Sequence, residues 1–242
     1  MLTFLRSKKD RFDDGIRGLL GAQSSLAIQK ITIPTIDGDM DLADIAHQVK
    51  PRNDFSADMN EWKVTNLDHI NRGLTKIVKA KELEIPTFYG SLWAQHIDES
   101  GQIVDYGLIS LRVVTATGVG FIVDAFQNSV ELETMKYHGL GTGTNSESSS
   151  DTALQTELTT AYTPDSTRPA GTTTEGATAN IYKTVATNTI SDASAAVTEH
   201  GIFSQAATGG GVMLDRSVFS VINLAIGDSL QTTYELTFNA GG

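Results

Sequence analysis

The sequence predicts a mainly β protein, an antiparallel β-sandwich with a jelly-roll-like core, short helices and a partly helical N-terminal arm. Three observations carry this. Ser229–Phe238 alternates, with Leu230, Thr232, Tyr234, Leu236 and Phe238 on one face and Gln231, Thr233, Glu235 and Thr237 on the other. That period of two suits a strand with one buried and one wet face. Three apolar, β-branched runs lie upstream as candidate partners: Ala179–Ala186, Ala196–Phe203 and Val212–Ile222. Gly and Ser/Thr punctuate them all, as in sandwiches and barrels built from short strands.

In chain order, Met1–Lys30 places Leu2, Leu5, Phe12, Ile16, Leu19 and Leu20 at roughly helical spacing, with Arg6, Lys8, Lys9, Asp10 and Arg11 among them. This reads as an amphipathic helix, packed on its own domain or reaching a neighbouring subunit. Ile31–Ile36 suits a short strand. Asp37-Gly-Asp-Met-Asp41 imitates the start of a calcium loop, but Gln48, Lys50 and Arg52 occupy the places where the bidentate glutamate would stand. A solvated turn before a helix Leu42–Val49 is expected instead. Pro51–Trp62 reads as irregular, and Thr65–Lys81 as a helix interrupted at Gly73, with Arg72, Lys76, Lys79 and Lys81 on a solvated face.

Ile85–Ile97 and Ile103–Val114, separated by Asp98-Glu-Ser-Gly101, form a hairpin pattern. Thr115–Gln127 is expected to be a helix capped by Thr117, with Val119, Ile122, Val123 and Phe126 as its apolar stripe. Glu131–Leu140 reads as a strand, Ser150–Leu158 as a short helix capped by Ser150, and Thr159–Thr178 as an exposed loop. The organisation expected is an arm over 1–30, a mixed helical and irregular segment over 31–82, and a β-sandwich domain over 83–242, enough chain to bury a sizeable core.

The formal net charge is −11 over 242 residues. Met1–Lys30 carries six Lys/Arg against three acids, Ile31–Gly139 nine against sixteen, and Leu140–Gly242 three against ten. An acidic body speaks against nucleic acid as a partner, because phosphate neutralisation needs clustered cations. There is no cysteine, which excludes disulfides and thiolate metal sites. No run suits a bilayer span. Gly18-Leu-Leu-Gly-Ala-Gln is too short and too acid-flanked for a secretory signal, so an intracellular product is expected.

Reaction centres are not legible. Gly139-Leu-Gly-Thr-Gly lacks the Lys-Ser/Thr of a phosphate loop, and Thr144 stands where a dinucleotide fingerprint needs glycine. It reads as a structural turn. His47, His69, His96, His138 and His200 are scattered, so no local metal pair exists. His138 and His200 each precede a glycine in a β-like segment and can meet only through the fold. Glu199-His200 offers acid–base groups without a nucleophile or second partner. No catalytic, cofactor-binding or metal-binding residue is assigned, and no enzyme activity is expected. Trp62 and Trp93 are too few and too far apart to favour glycan stacking.

An ordered series remains: Tyr137-His-Gly-Leu-Gly-Thr-Gly-Thr, Asp151-Thr-Ala-Leu-Gln-Thr-Glu-Leu, Val197-Thr-Glu-His-Gly-Ile-Phe, Leu214-Asp-Arg-Ser-Val-Phe-Ser-Val-Ile-Asn-Leu and Gly227-Asp-Ser-Leu-Gln-Thr-Thr-Tyr-Glu-Leu-Thr-Phe. It resembles a module of tailed-bacteriophage virion proteins over Glu131–Phe238. The resemblance implies a virion structural protein assembled in the host cytoplasm. Its first form is a capsid decoration (cement) protein that binds the major capsid protein or other virion proteins as a homo-oligomer. A tail, baseplate or fibre component is the alternative, and a carbohydrate- or receptor-binding module the alternative from another class. The resemblance carries no catalytic residues.

Overall fold

The computed structural model describes residues 32–35, 38–41, 49, 51, 53–83, 85–162 and 166–239. The arm expected over Met1–Lys30 and most of the helix expected over Leu42–Val49 lie outside them. The architecture is mainly β, with two antiparallel sheets packed as a sandwich. Strands are β1 (Thr32–Thr35), β2 (Gly38–Asp41), β3 (Thr87–Ile97), β4 (Ile103–Val113), β5 (Tyr137–Gly141), β6 (Thr172–Glu175), β7 (Ile181–Thr189), β8 (Ala195–Phe203), β9 (Met213–Leu224) and β10 (Ser229–Asn239). Among the described residues the helices described from end to end are α1 (Ala57–Glu82) and α2 (Ala116–Phe126). One sheet runs β4-β3-β10-β7-β6 and the other β5-β8-β9, while β1 and β2 pair as a separate hairpin. Gly38–Asp41 is therefore a strand, not the solvated turn its aspartates suggested.

The two layers close on Leu92, Ala94, Ile109, Leu230, Tyr234 and Leu236 from the larger sheet and Leu140, Ile202, Phe219 and Ile222 from the smaller. The β3–β4 hairpin stands where the sequence placed it, with Gly101 at φ 85 closing its turn, a backbone state that glycine enters without penalty. Of the three expected partners of β10 only β7 pairs with it. Its other neighbour is β3, and β8 and β9 belong to the second sheet.

The alternation in β10 holds for Leu230, Thr232, Tyr234 and Leu236, all buried, but fails at three places, one of them Thr237, expected to be wet and 1% exposed. Phe238 is only half-buried, against the Phe88 ring 4.8 Å away. Glu235, expected to be wet, is 1% exposed. Glu235 shares a cross-strand row with Ser91 and, beyond it, Leu111, and Leu111 lies under the helix layer. The outer face of this sheet is thus roofed, and Lys183 Nζ stands 3.8 Å from the Glu235 carboxylate.

Over β3 and β4 the roof is α1, a continuous helix of 26 residues, longer than the short helices expected, while β1 lies against β10. It starts earlier than its sequence suggested because Ser56 Oγ accepts from the Met59 N–H at 3.1 Å, a capping bond that brings Ala57–Trp62 into the helix. Leu67, Ile70, Leu74 and Ile77 pack on Tyr89, Leu108 and Leu111. Gly73 does not break it. A Cβ there would lie 1.7 Å from the Leu111 carbonyl oxygen, so glycine lets helix and strand touch. On the same side α1 bridges the two edge strands β4 and β9. The buried Asn66 donates to the Ile109 carbonyl at 2.9 Å and accepts from the Ser220 N–H at 2.9 Å. Trp62 Nε1 donates to the Val221 carbonyl at 2.8 Å, and the buried Lys63 ammonium donates to the Tyr106 carbonyl. Unpaired edge groups are thereby covered, which blunts edge-to-edge association.

Helix α2 also departs from expectation. Its cap is Thr115, whose Oγ1 accepts from Gly118 N at 3.0 Å. Its buried residues are Gly118, Phe121 and Ile122. Thr115 N donates to the Leu214 carbonyl at 3.0 Å, and a Cβ on Gly118 would lie 2.6 Å from that same oxygen. These two contacts with β9 fix the rotation of the helix and leave Val119, Val123 and Phe126 outside. The segment after it begins as a 3-10 turn, Leu132–Thr134, and becomes strand only at Tyr137.

Candidate functional site

The most elaborate chemistry sits on both faces of the smaller sheet. Adjacent residues in a strand point to opposite faces, so Glu199 and Arg216 face outward while His200 and Asp215 face the core. The outer face is covered by chain between β5 and β6, within residues 142–162 and 166–171. Ser150–Leu158, expected to be a helix, is irregular here. Its backbone donors are directed at Glu199 instead. Glu199 Oε1 accepts from Gly143 N at 3.0 Å and Thr156 N at 2.8 Å, and Oε2 from Gln155 N at 3.0 Å. Arg216 adds Nε at 2.8 Å and Nη2 at 2.7 Å to Oε2. The Arg216 guanidinium also reaches Asp151 at 3.0 Å and the Asn145 side-chain oxygen at 2.6 Å. A buried charge is tolerated when it is paired and its remaining sites are hydrogen-bonded, and Glu199 meets that condition in full.

A second clamp fastens the same loop. Arg168, buried within the stretch expected to be exposed, pairs with Glu157 at 2.5 Å and donates to the Gln205 and Gly210 carbonyls. Its guanidinium lies 3.5 Å above the Phe203 ring centre, a cation–π contact. Ala161, Tyr162 and Gly171 in the same stretch are likewise buried. The glycines of Gly139–Gly143 serve this packing. A Cβ on Gly141 or Gly143 would fall 2.5 Å from Glu199 Oε1, and one on Gly139 would fall 2.9 Å from the Phe203 ring.

On the core face, His138 and His200 do meet. His200 Nε2 lies 3.1 Å from His138 Nδ1, His138 Nδ1 2.8 Å from Thr232 Oγ1, and His138 Nε2 3.1 Å from Thr184 Oγ1. Both rings are fully buried. Burial, and for His138 also the neighbouring ring, lowers their pKa values, that of His200 to about 3. They are neutral and share hydrogen bonds. Asp215 lies across the sandwich against Gly90 and the Tyr234 hydroxyl. Burial raises it to about 7 despite the Arg112 charge nearby, and the Tyr234 phenol is raised well above its ordinary value by burial and by Asp215. Arg112, itself brought down to about 10 by burial, donates to the Val218 carbonyl at 2.6 Å and stands 3.5 Å from Glu147.

The other histidines lie apart. His96 Nε2 is 2.8 Å from Asp228, and His69, lowered to about 4 by burial and by Arg72 and Arg112, is 2.6 Å from the Arg72 guanidinium. His47 is outside the described residues. Trp62 and Trp93 occupy separate clusters. Among the described residues no group of three His, Asp or Glu side chains is placed to hold one metal ion, and no helix is long and apolar enough to cross a membrane. The arrangement can fasten a loop and hold protons in a dry core.

Sequence reasoning passed over Arg168, Arg216 and Asp215. A signal existed: Leu140–Gly242 holds only three Lys/Arg, and Arg216 sits inside an apolar strand pattern. A lone cation there requires a buried partner.

The titrations have opposed signs. The histidines are neutral when folded, so their contribution is full above about pH 6.5 and declines as pH falls below it. Asp215 contributes as a neutral acid, fully below about pH 4, and that contribution is lost as pH rises through about 7. Asp215→Asn should therefore gain on the parent chain as pH rises. We expect the variant's stability minus that of the parent to rise by about 2–4 kcal/mol between about pH 4 and about pH 8. Urea unfolding at stepped pH measures it, and a gap that does not change with pH refutes the assignment.

A scan against protein-family models finds none that matches the chain, and a search of curated proteins likewise returns no match.

Proposed function

We propose that the chain is a virion structural protein of a tailed bacteriophage, and within that class a capsid decoration protein that binds and stabilises the shell. The observation that carries this reading is where the residues of the resemblance fall. Gly139, Gly141 and Gly143, Leu154 and Glu157, Glu199 and Phe203, and Arg216 come from four separated motifs. They interlock as one packed unit of loop and sheet. An ordered motif series is most meaningful when its members hold one another, and that mutual packing supports a structural role. The acidic body suits a subunit kept apart before assembly, since like charge opposes association. Its partners in this reading are the major capsid protein or other virion proteins, and copies of itself.

Electron microscopy of the parent particle tests the proposal. Density matching the two-sheet core at repeating positions on the shell is the expected result. The same density on tail or baseplate would replace decoration by the tail reading, and its absence from the particle overturns both. A separate assay addresses chemistry: turnover of a glycan, ester or peptide that disappears in Glu199→Ala or His200→Ala would overturn the non-enzymatic reading.

A further inference from the structure

Helix α2 is apolar on both sides. It buries Phe121 and Ile122, yet Val119, Val123 and Phe126 are 38%, 50% and 85% exposed. These three are spaced i, i+4, i+7 and form one stripe. Leu132, in the adjoining 3-10 turn, is also exposed at 46%. A helix with apolar residues all round belongs in an interior, so this stripe is a contact surface. Its rim is mainly acidic: Asp124, Glu131 and Glu133 are exposed along α2 and the 3-10 turn, with the partly exposed Lys136 the first cation after them. Two such faces brought together would set acid against acid. The fitting occupant is an apolar stripe flanked by cations.

The chain itself contains one. Phe12, Ile16 and Leu19 repeat the spacing i, i+4, i+7, and Arg6, Lys8, Lys9, Arg11 and Arg17 surround them. Met1–Lys30, with six Lys/Arg against three acids, has a higher net positive charge than any stretch of that length in the rest of a chain of net −11. We propose that the N-terminal segment of one copy docks on the α2 stripe of a second copy, its apolar residues on Val119, Val123 and Phe126 and its cations toward Asp124, Glu131 and Glu133. The contact is head-to-tail, and such contacts propagate into rings or arrays rather than stopping at a pair. It does not depend on the virion reading, because it is measured on the purified chain.

The absence of cysteine makes a clean test. Full-length Ile16→Cys and Val123→Cys variants are mixed and mildly oxidised, and a covalent dimer of one of each is expected. Val221→Cys, exposed at 42% on another strand, serves as the control partner. Adding Phe126→Asp, or the triple change Asp124→Lys, Glu131→Lys and Glu133→Lys, should lower the yield at least several-fold, the triple change more at low salt than at high. Equal yield with the Val221→Cys control, or a yield indifferent to Phe126→Asp, overturns the proposal. A single chain bearing both Ile16→Cys and Val123→Cys that closes on itself instead of linking copies also overturns it.

Discussion

Replacing Arg216 by methionine is expected to cost about 3–5 kcal/mol, the typical penalty for removing one partner of a buried ion pair. The cost arises because Glu199 is left behind. Its carboxylate is fully buried beneath Gly143, Gln155 and Thr156, and three backbone N–H groups cannot neutralise a charge. In a chain of this size the change should lower the melting temperature by roughly 6–20 °C. Asp151 and Asn145 lose their anchor in the same step, so cleavage by protease within the loop should become faster. The double change Arg216→Met with Glu199→Gln removes the stranded charge, and it should recover part of the loss relative to the sum of the two single changes. A single-variant cost below about 1 kcal/mol, the range of exposed pairs, would show that the pair does not hold the loop.

Two glycine-to-alanine changes should move stability in opposite directions. Both positions lie inside helices, where alanine is favoured over glycine by about 1 kcal/mol. At Gly120 of α2 an added Cβ meets nothing within 4 Å, so Gly120→Ala should stabilise by about that amount. At Gly73 of α1 the Cβ would stand 1.7 Å from the Leu111 carbonyl oxygen. The helix must back away from β4, loosening Leu74 and Ile77 against Tyr89 and Leu108 and stretching the Asn66 bridge to β9. Overpacking of this kind costs about 1–3 kcal/mol or more, and here the upper end is expected because backbone, not a flexible side chain, blocks the way. Denaturant midpoints of the two variants decide the matter. A gain at Gly73, or equal signs at both sites, would falsify the contact.

What was legible in the sequence was what depends on period and turn chemistry. The β3–β4 hairpin, the alternation from Leu230 to Leu236 and the turn at Gly227, with φ 92, follow from local residues. The failures share one cause: a tertiary partner outvoted a local preference. Ser150–Leu158 has a helical composition, but its N–H groups gain more from a buried carboxylate than from helix carbonyls. Thr117 was as good a cap as Thr115 by residue type, and only the position of β9 chose between them. Glu235 points to the face that the period of two gives it, while its burial depends on what packs over that face, which the residues of the strand do not encode. Of the polar site, the meeting of His138 with His200 was visible as a condition on the fold. The Glu199–Arg216 and Arg168–Glu157 clamps were not, since the distance between partners in sequence carries no local signal.

The position of β10 has a consequence for how the chain is made. It comes after every other strand in sequence yet lies in the middle of the larger sheet, between β3 and β7. Until Ser229–Asn239 leaves the ribosome, the two halves of that sheet share no hydrogen bond. β3 then presents an open edge with Leu92 and Ala94 uncovered, and β7 presents another. Pairing them requires closure across the whole length of the domain, the kind of non-local step that makes folding slow. Folding of the larger sheet is thus deferred until β10 has been made, and during that interval each nascent chain offers its neighbours two unpaired edges. High expression at elevated temperature should favour aggregation at this stage, whereas slower translation or cooling should raise the folded yield without any change in the stability of the finished molecule.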